Sequence, residues 1–451
     1  MIVGCDFDGT LVDDSRLKTL DKNYFNEINL PFYTDAILFL QSDKHKFKVI
    51  SGRINGVKVI KKILKKNKLI LPVITRKNGK INDKKKAELV NNSNVDIYVE
   101  DRPQHAKYIT KPTFLLNHIT KKSYKKDVKI TTAINVSSWF EIEKWLNTNF
   151  IFSPGPVPTT ETINVDFSHR SQKFQQLYNN LKSKFRQKFN IPNNFEILFI
   201  NGSGTAALES VINSLPKMKY KVMSKGVFSD RMKEIIIRSG NNIQNNNYDI
   251  VFYTQFETSR SKYYNIYKPN KLHIVDAISG FGYYKWSLKF DVTITSSSKI
   301  LGGLPVLGII IINKKLLPLL NDNGYYLNLK RINDYDKHCF TPHTPMLPQF
   351  ISLYNALDKS ININENIKIF KKVLKQKIIK QFGDNGPVLS FKVEEKYYPY
   401  LISELLKYNI EVYVNPTYMK NQFQVSMFNY HNTDIYKWLA IVLNYVQKEV
   451  I

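Results

Sequence analysis

The chain has 451 residues, 43% of them hydrophobic and 13% aromatic, which is enough for two to three domains with buried cores. Its formal net charge of +28 would ordinarily suggest a polyanion partner, but Lys, Asn and Ile are abundant along the whole chain, so we do not expect a nucleic-acid partner. The two cysteines, Cys5 and Cys339, exclude a disulfide framework. No apolar run is long enough to span a membrane, and a strand-like segment begins at Met1 without a signal peptide, so we expect a cytoplasmic protein.

The segment 2–12 predicts a short strand that ends in an acidic motif. Asp6 and Asp8 lie two residues apart and point the same way in an extended chain, so they can share one Mg²⁺ ion or divide the roles of nucleophile and acid. Taken alone, an Asp-x-Asp motif is also compatible with a turn that carries solvated charges.

Further polar residues in the first part of the chain either follow predicted strands or lie on a predicted helix. They are Ser51 after the strand 47–50, the helical lysines Lys85 and Lys86, and the pair Glu100 and Asp101 after the strand 95–99. Four separated motifs in this order resemble the haloacid dehalogenase (HAD) phosphohydrolase superfamily, and the resemblance covers residues 1–120. It implies a Rossmann-like α/β domain.

By this resemblance Asp6 is the phosphoryl-accepting nucleophile and Asp8 the general acid and base. Ser51 holds the phosphoryl group, and Lys85 or Lys86 neutralises it. The implied Mg²⁺ site comprises Asp6, Asp8, Glu100 and Asp101. The phosphonatase branch of the superfamily replaces the second aspartate of the first motif, so the presence of Asp8 favours phosphatase chemistry on a phosphorylated metabolite over carbon–phosphorus cleavage.

Residues 121–148 are basic and then helical, and they predict a linker. The proline-rich stretch 151–158 then marks a new domain. Further along, Lys299 lies in the turn 296–303, between the β-branched strands 291–295 and 307–312. A buried lysine with glycines beside it can form a Schiff base with pyridoxal phosphate, because burial lowers its pKa and glycines admit the flat ring. A surface lysine in a glycine turn is the alternative for this segment alone.

Two other segments of this half support a cofactor site. The strand 197–200 leads into Ser203, Gly204 and Thr205 at the start of a helix, where free N–H groups and hydroxyls can hold a phosphate. Asp276 ends another strand, 23 residues before Lys299, and an acid there can keep a pyridine nitrogen protonated.

These segments resemble the class V aminotransferases of fold type I, and the closest likeness is to the 2-aminoethylphosphonate–pyruvate transaminases. The residues that carry it are 153–156, 168–170, 202–209, 226–232, 257–259, 275–279, 298–299 and 340–342. The resemblance implies a large pyridoxal-phosphate-binding α/β domain with a mostly parallel sheet over 149–345, a small α+β domain over 346–451, and a homodimer with shared sites.

Residue by residue, the resemblance implies that Lys299 forms the Schiff base and carries the transferred proton, and that Asp276 pairs with the ring nitrogen. The other implied cofactor contacts are the phosphate ligands Ser203, Gly204 and Thr205, the stacking ring of Phe228, the hydroxyl of Thr258, and Thr344 from the neighbouring subunit. The chain departs from the family at Gln424, which stands where a substrate-binding arginine is expected and cannot form a bidentate charged contact with a carboxylate.

Three functional interpretations remain open. In the first, the chain is a bifunctional enzyme that transaminates a small amine such as 2-aminoethylphosphonate with a 2-oxo acid such as pyruvate, coupled to a Mg²⁺-dependent phosphatase. In the second, it is an alanine–glyoxylate or serine–pyruvate type aminotransferase with a passenger phosphatase domain. In the third, it binds the cofactor with altered or lost transaminase activity.

Overall fold

The computed structural model describes residues 1–13, 31–42, 44–54, 56–76, 83–117, 132–159, 162–264, 270–415 and 417–450. The first module contains the elements β1 (Ile2–Cys5), α1 (Thr34–Leu40), β2 (Lys46–Ile54), α2 (Val57–Lys66), β3 (Val73–Arg76), α3 (Asp83–Asn91), β4 (Ile97–Glu100), α4 (Pro103–Ala106), β5 (Thr113–Leu116), β6 (Ala133–Val136) and α5 (Trp139–Asn147). A short strand, β7 (Phe150–Ile151), leads out of it.

The second module follows. Its large domain contains α6 (Gln172–Phe189), β8 (Phe195–Asn201), α7 (Gly204–Ser214), β9 (Lys219–Val222), α8 (Val227–Arg238), β10 (Asn242–Ile243), β11 (Ile250–Thr254), β12 (Phe256–Glu257), β13 (Lys262–Tyr263), β14 (Leu272–Asp276), β15 (Val292–Ser296), β16 (Leu307–Asn313), α9 (Leu329–Asp336) and α10 (Leu347–Ala356). The helix α10 is grouped with the large domain because Phe350 and Leu353 belong to one of its buried clusters, whereas a boundary at 345 would place it in the small domain. The small domain contains α11 (Ile363–Val373), β17 (Ile379–Phe382), β18 (Val388–Val393), α12 (Tyr398–Lys407), β19 (Ile410–Glu411), β20 (Gln422–Ser426) and α13 (Thr433–Val450).

The first module is built on a six-stranded sheet in the order β3-β2-β1-β4-β5-β6, and every pairing in it is parallel. The strand order reverses between β1 and β4, so the carboxyl ends of these two strands form the crevice where open α/β sheets bind ligands. The sheet includes β6, which lies within the stretch 121–148 that the sequence predicted to be a linker. That stretch therefore contributes a strand to the first module, and the helix expected there is α5.

The large domain has a seven-stranded sheet in the order β10-β9-β11-β14-β15-β16-β8. Its strands are parallel except β16, which pairs antiparallel with both of its neighbours. Side chains of β8, β11 and β14 alternate between two separate buried clusters, one on each face of the sheet. This burial on both faces explains the nearly continuous hydrophobic run of β16, Leu307–Ile312.

The small domain packs against the first module rather than only against the large domain. Its antiparallel sheet has the order β17-β18-β20, and its last helix, α13, contacts β6 of the first module. The rings of Phe114 and Trp438 stack across this boundary with centroids 4.9 Å apart, and the two units share one hydrophobic cluster. In addition, β7 pairs with β19, which ties the connecting segment to the small domain.

Among the described helices, none combines the length and the apolar character needed to cross a membrane. Cys5 and Cys339 are both free thiols.

Candidate active sites

The carboxyl ends of the central strands of the second sheet meet at one cavity of about 250 Å³. Asp276 ends β14 and Ser296 ends the adjacent β15, with Lys299 three residues further on. The cavity is lined by Asp276 and Lys299 together with Ser203, Gly204 and Thr205. Parallel packing of the strands therefore brings together residues that are up to 96 positions apart in the sequence.

The start of α7 has the chemistry of a phosphate site. Ser203 is the residue before the helix, yet its side chain makes no capping hydrogen bond within the described structure, so the first N–H groups of the helix keep their capacity to bind an anion. A Cβ atom at Gly204 would collide with the side chain of Ile278, so glycine is needed for this close packing. Ser203, Gly204 and Thr205 thus fit the phosphate group of pyridoxal phosphate.

Lys299 and Asp276 have opposite and complementary pKa shifts. Burial lowers the pKa of Lys299 from 10.5 to about 8, although the carboxylate of Asp276 opposes the change. Burial raises the pKa of Asp276 from 3.8 to about 6, against a backbone hydrogen bond from Ile278 and the charge of Lys299. The amine is therefore partly neutral near physiological pH, as a lysine that condenses with an aldehyde requires.

The first turns of α8 bring one aromatic and one cationic residue to the cavity. Phe228 lines the cavity, and the guanidinium carbon of Arg231 lies 5.1 Å from the centroid of its ring. Nη1 of Arg231 donates a hydrogen bond to Oγ1 of Thr205 at 3.3 Å. Sequence reasoning gave Arg231 no role, although the spacing of three residues from Phe228 predicts that both lie on one face of a helix.

Glu257 fixes the start of this helix. Its buried carboxylate accepts hydrogen bonds from the backbone N–H groups of Phe228 and Ser229, at 3.4 and 3.1 Å, and from the hydroxyl of Ser229 at 3.0 Å. Gly226 precedes the helix with a φ of +142°, and a Cβ atom there would collide with Glu257. Glu257 therefore caps α8 from a distance and holds Phe228 in place.

A second cavity, of about 220 Å³, adjoins the first. Lys299, Phe228 and Arg231 line both cavities, whereas Thr258 and Gln424 line only the outer one. Both N–H groups of the Gln424 amide are engaged, one with the carbonyl oxygen of Thr258 and the other with Oγ of Ser390 at 2.9 Å. Gln424 is 1% exposed, so its amide is a fixed part of the cavity wall.

Thr344 is the predicted cofactor residue that lies apart from this group. Its side chain is exposed, and its carbonyl oxygen accepts a hydrogen bond from Nδ2 of Asn201 at 2.9 Å. It is not among the described residues that line either cavity. Its role in the site of a neighbouring subunit stays a prediction.

A different cluster of charged residues lies at the crevice of the first module. Asp6 directly follows β1, and Glu100 ends the neighbouring β4. The ammonium group of Lys86 contacts the carboxylate of Asp6 and lies 2.8 Å from Oε2 of Glu100. The sequence left Lys85 and Lys86 as alternatives, and the structure brings only the buried Lys86 to the carboxylates because Lys85 is exposed on another face of α3.

The other predicted residues of this module surround the cluster. Asp8 forms a bidentate ion pair with Arg53, with Nε of Arg53 lying 2.8 Å from Oδ2 of Asp8. Asp101 accepts a hydrogen bond from the Thr10 hydroxyl at 3.3 Å. Ser51 is buried, and its hydroxyl oxygen accepts a hydrogen bond from the backbone N–H of Arg53 at 3.2 Å.

His105, which sequence reasoning did not identify, completes the cluster. Its Nδ1 lies 3.2 Å from Nζ of Lys86 and 3.4 Å from Oε1 of Glu100, and its Nε2 lies 3.2 Å from Asp83. Ligand atoms of Asp6, Glu100 and His105 lie within 4.8 Å of one another, whereas the set inferred from the sequence was Asp6, Asp8, Glu100 and Asp101. His105 comes from α4, which directly follows β4 in the chain.

Electrostatics in this crevice favour a bound cation. Burial raises the pKa of Asp6 well above its ordinary value, and the charges of Glu100, Asp101 and Asp8 add to this effect while Lys86 opposes it. The carboxylates of Asp6, Asp8, Glu100 and Asp101 are gathered at this crevice, where Lys86 contacts Asp6 and Glu100 and Arg53 pairs with Asp8. Carboxylate oxygens are ligands that Mg²⁺ prefers, so these residues fit such an ion.

Comparisons with known proteins give distant relatives. No protein-family model matches the chain. It is 23% identical over 270 residues to a bifunctional phosphonoacetaldehyde hydrolase/aminoethylphosphonate transaminase of Clostridioides difficile (strain 630), an alignment that covers 50% of this chain and 42% of that protein. It is 22% identical over 251 residues to an uncharacterized aminotransferase of Helicobacter pylori strain J99, covering 47% of this chain and 67% of the relative. The chain thus spans less than half the length of the first of these relatives.

Solved structures share the architecture of the second module. A subgroup IV aspartate aminotransferase from Thermus thermophilus superposes with a TM-score of 0.61 at 18% identity, covering 67% of this chain and 100% of that one. The ureidoglycine–glyoxylate aminotransferase of Bacillus subtilis superposes with a TM-score of 0.58 at 18% identity, and the match covers 66% of this chain and 92% of that one. Over about two thirds of its length, the chain therefore has the α/β fold of the fold-type I aminotransferases.

Proposed function

We propose that the second module is a pyridoxal-phosphate-dependent aminotransferase that acts on a small amine of the 2-aminoethylphosphonate kind and a 2-oxo acid such as pyruvate. The observation that carries this proposal is the meeting of Lys299, Asp276 and the start of α7 at one cavity. The relatives described as aminotransferases, and the one whose name includes an aminoethylphosphonate transaminase, support it.

Each residue of the cavity suits one part of this chemistry. Ser203, Gly204 and Thr205 would hold the cofactor phosphate, Phe228 would stack on its ring, and Asp276 would pair with its protonated nitrogen. When bound, pyridoxal phosphate supplies an electron-withdrawing ring that stabilises negative charge on the carbon next to the amine. Nζ of Lys299, with its pKa lowered to about 8, would take up a proton from that carbon and pass it to the cofactor, so that the nitrogen stays with the cofactor when the oxo product leaves.

A screen of amines tests this proposal. Purified protein loaded with pyridoxal phosphate is mixed with 2-aminoethylphosphonate, alanine or serine, and the change of its visible absorbance is followed. We expect a response to 2-aminoethylphosphonate that Lys299→Ala abolishes and that Lys289→Ala, at an exposed lysine of the same domain, leaves intact. A response to alanine or serine alone would favour an alanine–glyoxylate or serine–pyruvate type enzyme, and no response to any amine would contradict the proposal.

We also propose that the first module is a Mg²⁺-dependent phosphatase of the HAD type. The buried contact of Lys86 with Asp6 and Glu100, at the reversal point of a parallel sheet, carries this proposal. The carboxylate of Asp6 would attack phosphorus while Asp8 gave a proton to the leaving alcohol. Water deprotonated by Asp8 would then displace phosphate from Asp6, and Lys86 would offset the repulsion between carboxylate and phosphate. Mg²⁺ held by Asp6 and its neighbouring acids would neutralise phosphoryl charge.

Hydrolysis of a panel of small phosphomonoesters measures this activity. We expect release of inorganic phosphate that depends on added Mg²⁺, stops with a chelator and is lost in Asp6→Asn. Phosphate release that persists in Asp6→Asn would contradict the proposed nucleophile. Because the relative from Clostridioides difficile is described as a phosphonoacetaldehyde hydrolase as well as a transaminase, phosphonoacetaldehyde belongs in the same panel.

A further inference from the structure

The outer cavity carries positive but no negative charge on its described lining. Lys299 and Arg231 are its cationic residues, and the other lining side chains are neutral. The carboxylate of Asp276 lines the inner cavity instead. A substrate that occupies the outer cavity is therefore favoured when it carries an anionic group. Because Lys299 reacts with the amine in the proposed function, Arg231 is the cation that remains for this anionic group.

The small domain offers no charged partner for that anion at the position where the sequence led us to expect one. Gln424 stands there on β20, and both of its N–H groups are committed to Thr258 and Ser390. Because the amide is buried and its donors are occupied, it cannot donate to a carboxylate or a phosphonate. Anion recognition must then come from another side of the cavity.

Arg231 lies on that other side. It lines both cavities, and its positive charge affects both Lys299 and Asp276. A guanidinium group has five N–H donors in a planar fork, and the hydrogen bond to Thr205 uses one of them. The remaining donors suit an oxyanion with two or three oxygens.

The helix that carries Arg231 is held in a fixed position. Glu257 caps the start of α8, and the guanidinium group of Arg231 lies against the ring of Phe228. Phe228 is also the predicted stacking partner of the cofactor ring. The same helix thus positions an aromatic face for the cofactor and, one turn later, a cation for the substrate.

We propose that Arg231 binds the anionic group of the amine substrate and so takes over the task that the arginine replaced by Gln424 would have in a class V aminotransferase. This inference rests on the proposed aminotransferase function. It restricts the substrate class to small primary amines that carry a phosphonate, phosphate or carboxylate group, and it makes Arg231 the residue that discriminates them from neutral amines.

The test compares an anionic and a neutral amine in the cofactor-loaded protein. Dissociation constants for 2-aminoethylphosphonate, β-alanine and propylamine are measured from absorbance changes in wild type, Arg231→Gln and Arg231→Lys. Arg238→Gln is the matched control, because Arg238 is exposed at the far end of the same helix and pairs with Glu234. Retention of pyridoxal phosphate is measured for every variant.

We expect Arg231→Gln to weaken binding of the anionic amines by at least about tenfold, with propylamine changed by less than about threefold and the cofactor retained. Arg231→Lys keeps the charge but loses the fork, so it restores part of the affinity. Arg238→Gln matches wild type. An equal loss for propylamine and 2-aminoethylphosphonate, or a loss of cofactor retention in Arg231→Gln without a change in the preference for anionic amines, would overturn the inference and assign Arg231 to the cofactor phosphate.

Methylphosphonate, which has no amine, separates this inference from the proposed function. If the loaded wild-type protein responds to no amine but binds methylphosphonate at least about tenfold more tightly than Arg231→Gln does, the aminotransferase proposal fails and the anion site stands. If wild type and Arg231→Gln bind methylphosphonate equally, or neither binds it, the anion site is contradicted whatever the amines do.

Discussion

Nζ of Lys299 donates a hydrogen bond to the carbonyl oxygen of Pro154 at 2.7 Å. Pro154 follows β7, the strand that leaves the first module and pairs with β19 of the small domain. The segment that joins the two modules therefore forms one wall of the outer cavity, and it contacts the amine that the proposed chemistry depends on. Within the described parts of the chain this amine meets a backbone acceptor and forms no ion pair, an arrangement that suits a neutral nitrogen.

The pH dependence of Lys299 reactivity follows from its environment. Because burial lowers the pKa of Lys299 to about 8, the amine of the cofactor-free protein loses its proton at lower pH than a lysine in water does. We expect the rate of acetylation of Lys299 by acetic anhydride, followed by mass spectrometry, to reach half of its maximum near pH 8. N-acetyl-lysine amide labelled in the same way is the reference. A midpoint near 10.5, the ordinary lysine value, would show that the amine is not buried as described.

We expect the buried carboxyl group of Asp276 to lower the stability of the cofactor-free protein at neutral pH. Its folded pKa of about 6 lies above the ordinary value of 3.8, so its contribution to stability is full below about pH 4 and is lost as the pH rises through 6. Asp276→Asn removes this loss and keeps an acceptor for the N–H of Ile278. We expect the free energy of unfolding at pH 7.5 to increase by on the order of 2 kcal/mol, and the gain to vanish below about pH 4. Urea titrations at the two pH values measure it, and a variant less stable than wild type at pH 7.5 contradicts the account.

Glu257 stabilises the helix that carries Phe228 and Arg231. Glu257→Ala removes the acceptor for the N–H groups of Phe228 and Ser229, so we expect a loss of about 1–2 kcal/mol in the free energy of unfolding and faster release of pyridoxal phosphate. Glu257→Gln keeps one acceptor oxygen and serves as the matched variant with a smaller loss. Equal stability of wild type and Glu257→Ala in urea unfolding would rule out the capping role.

Lys86 and Lys85 provide a matched pair in the first module. Lys86→Met leaves the buried carboxylates of Asp6 and Glu100 without their ammonium partner, so we expect a loss of about 3–5 kcal/mol in stability together with loss of phosphatase activity. Lys85→Met changes an exposed side chain, and we expect its stability to remain within about 0.5 kcal/mol of wild type. Circular dichroism melts and phosphate release measure both effects. Similar behaviour of the two variants would contradict the placement of α3.

Much of the second module could be predicted from the sequence because strands and their carboxyl ends are local patterns. The β-branched runs before Asp276 and before Lys299 indicate strands, and adjacent parallel strands bring their ends together. The role of Gln424 in the cavity wall could not be predicted, because its partners Thr258 and Ser390 are 166 and 34 residues away in the chain.

In the first module, the residues and the strand that the sequence did not identify depend on helix orientation and on tertiary contacts. The choice between Lys85 and Lys86 depends on the orientation of one helix, and the buried Val90, four residues after Lys86, was an available sign of the inward face. The sequence around His105 gave no comparable indication, because its contacts with Glu100 and Lys86 depend on how α4 folds back after β4. The strand β6 was missed because its pairing with β5 is a tertiary contact.

The hydrophobic cluster shared by the first module and the small domain has a consequence for how this protein can be divided. Separating the halves near residue 150 would expose the ring of Phe114 on one fragment and that of Trp438 on the other, and it would break the pairing of β7 with β19. Each fragment would then carry an exposed apolar surface that favours aggregation. The relative orientation of the first module and the small domain is therefore set by side-chain packing instead of a flexible tether.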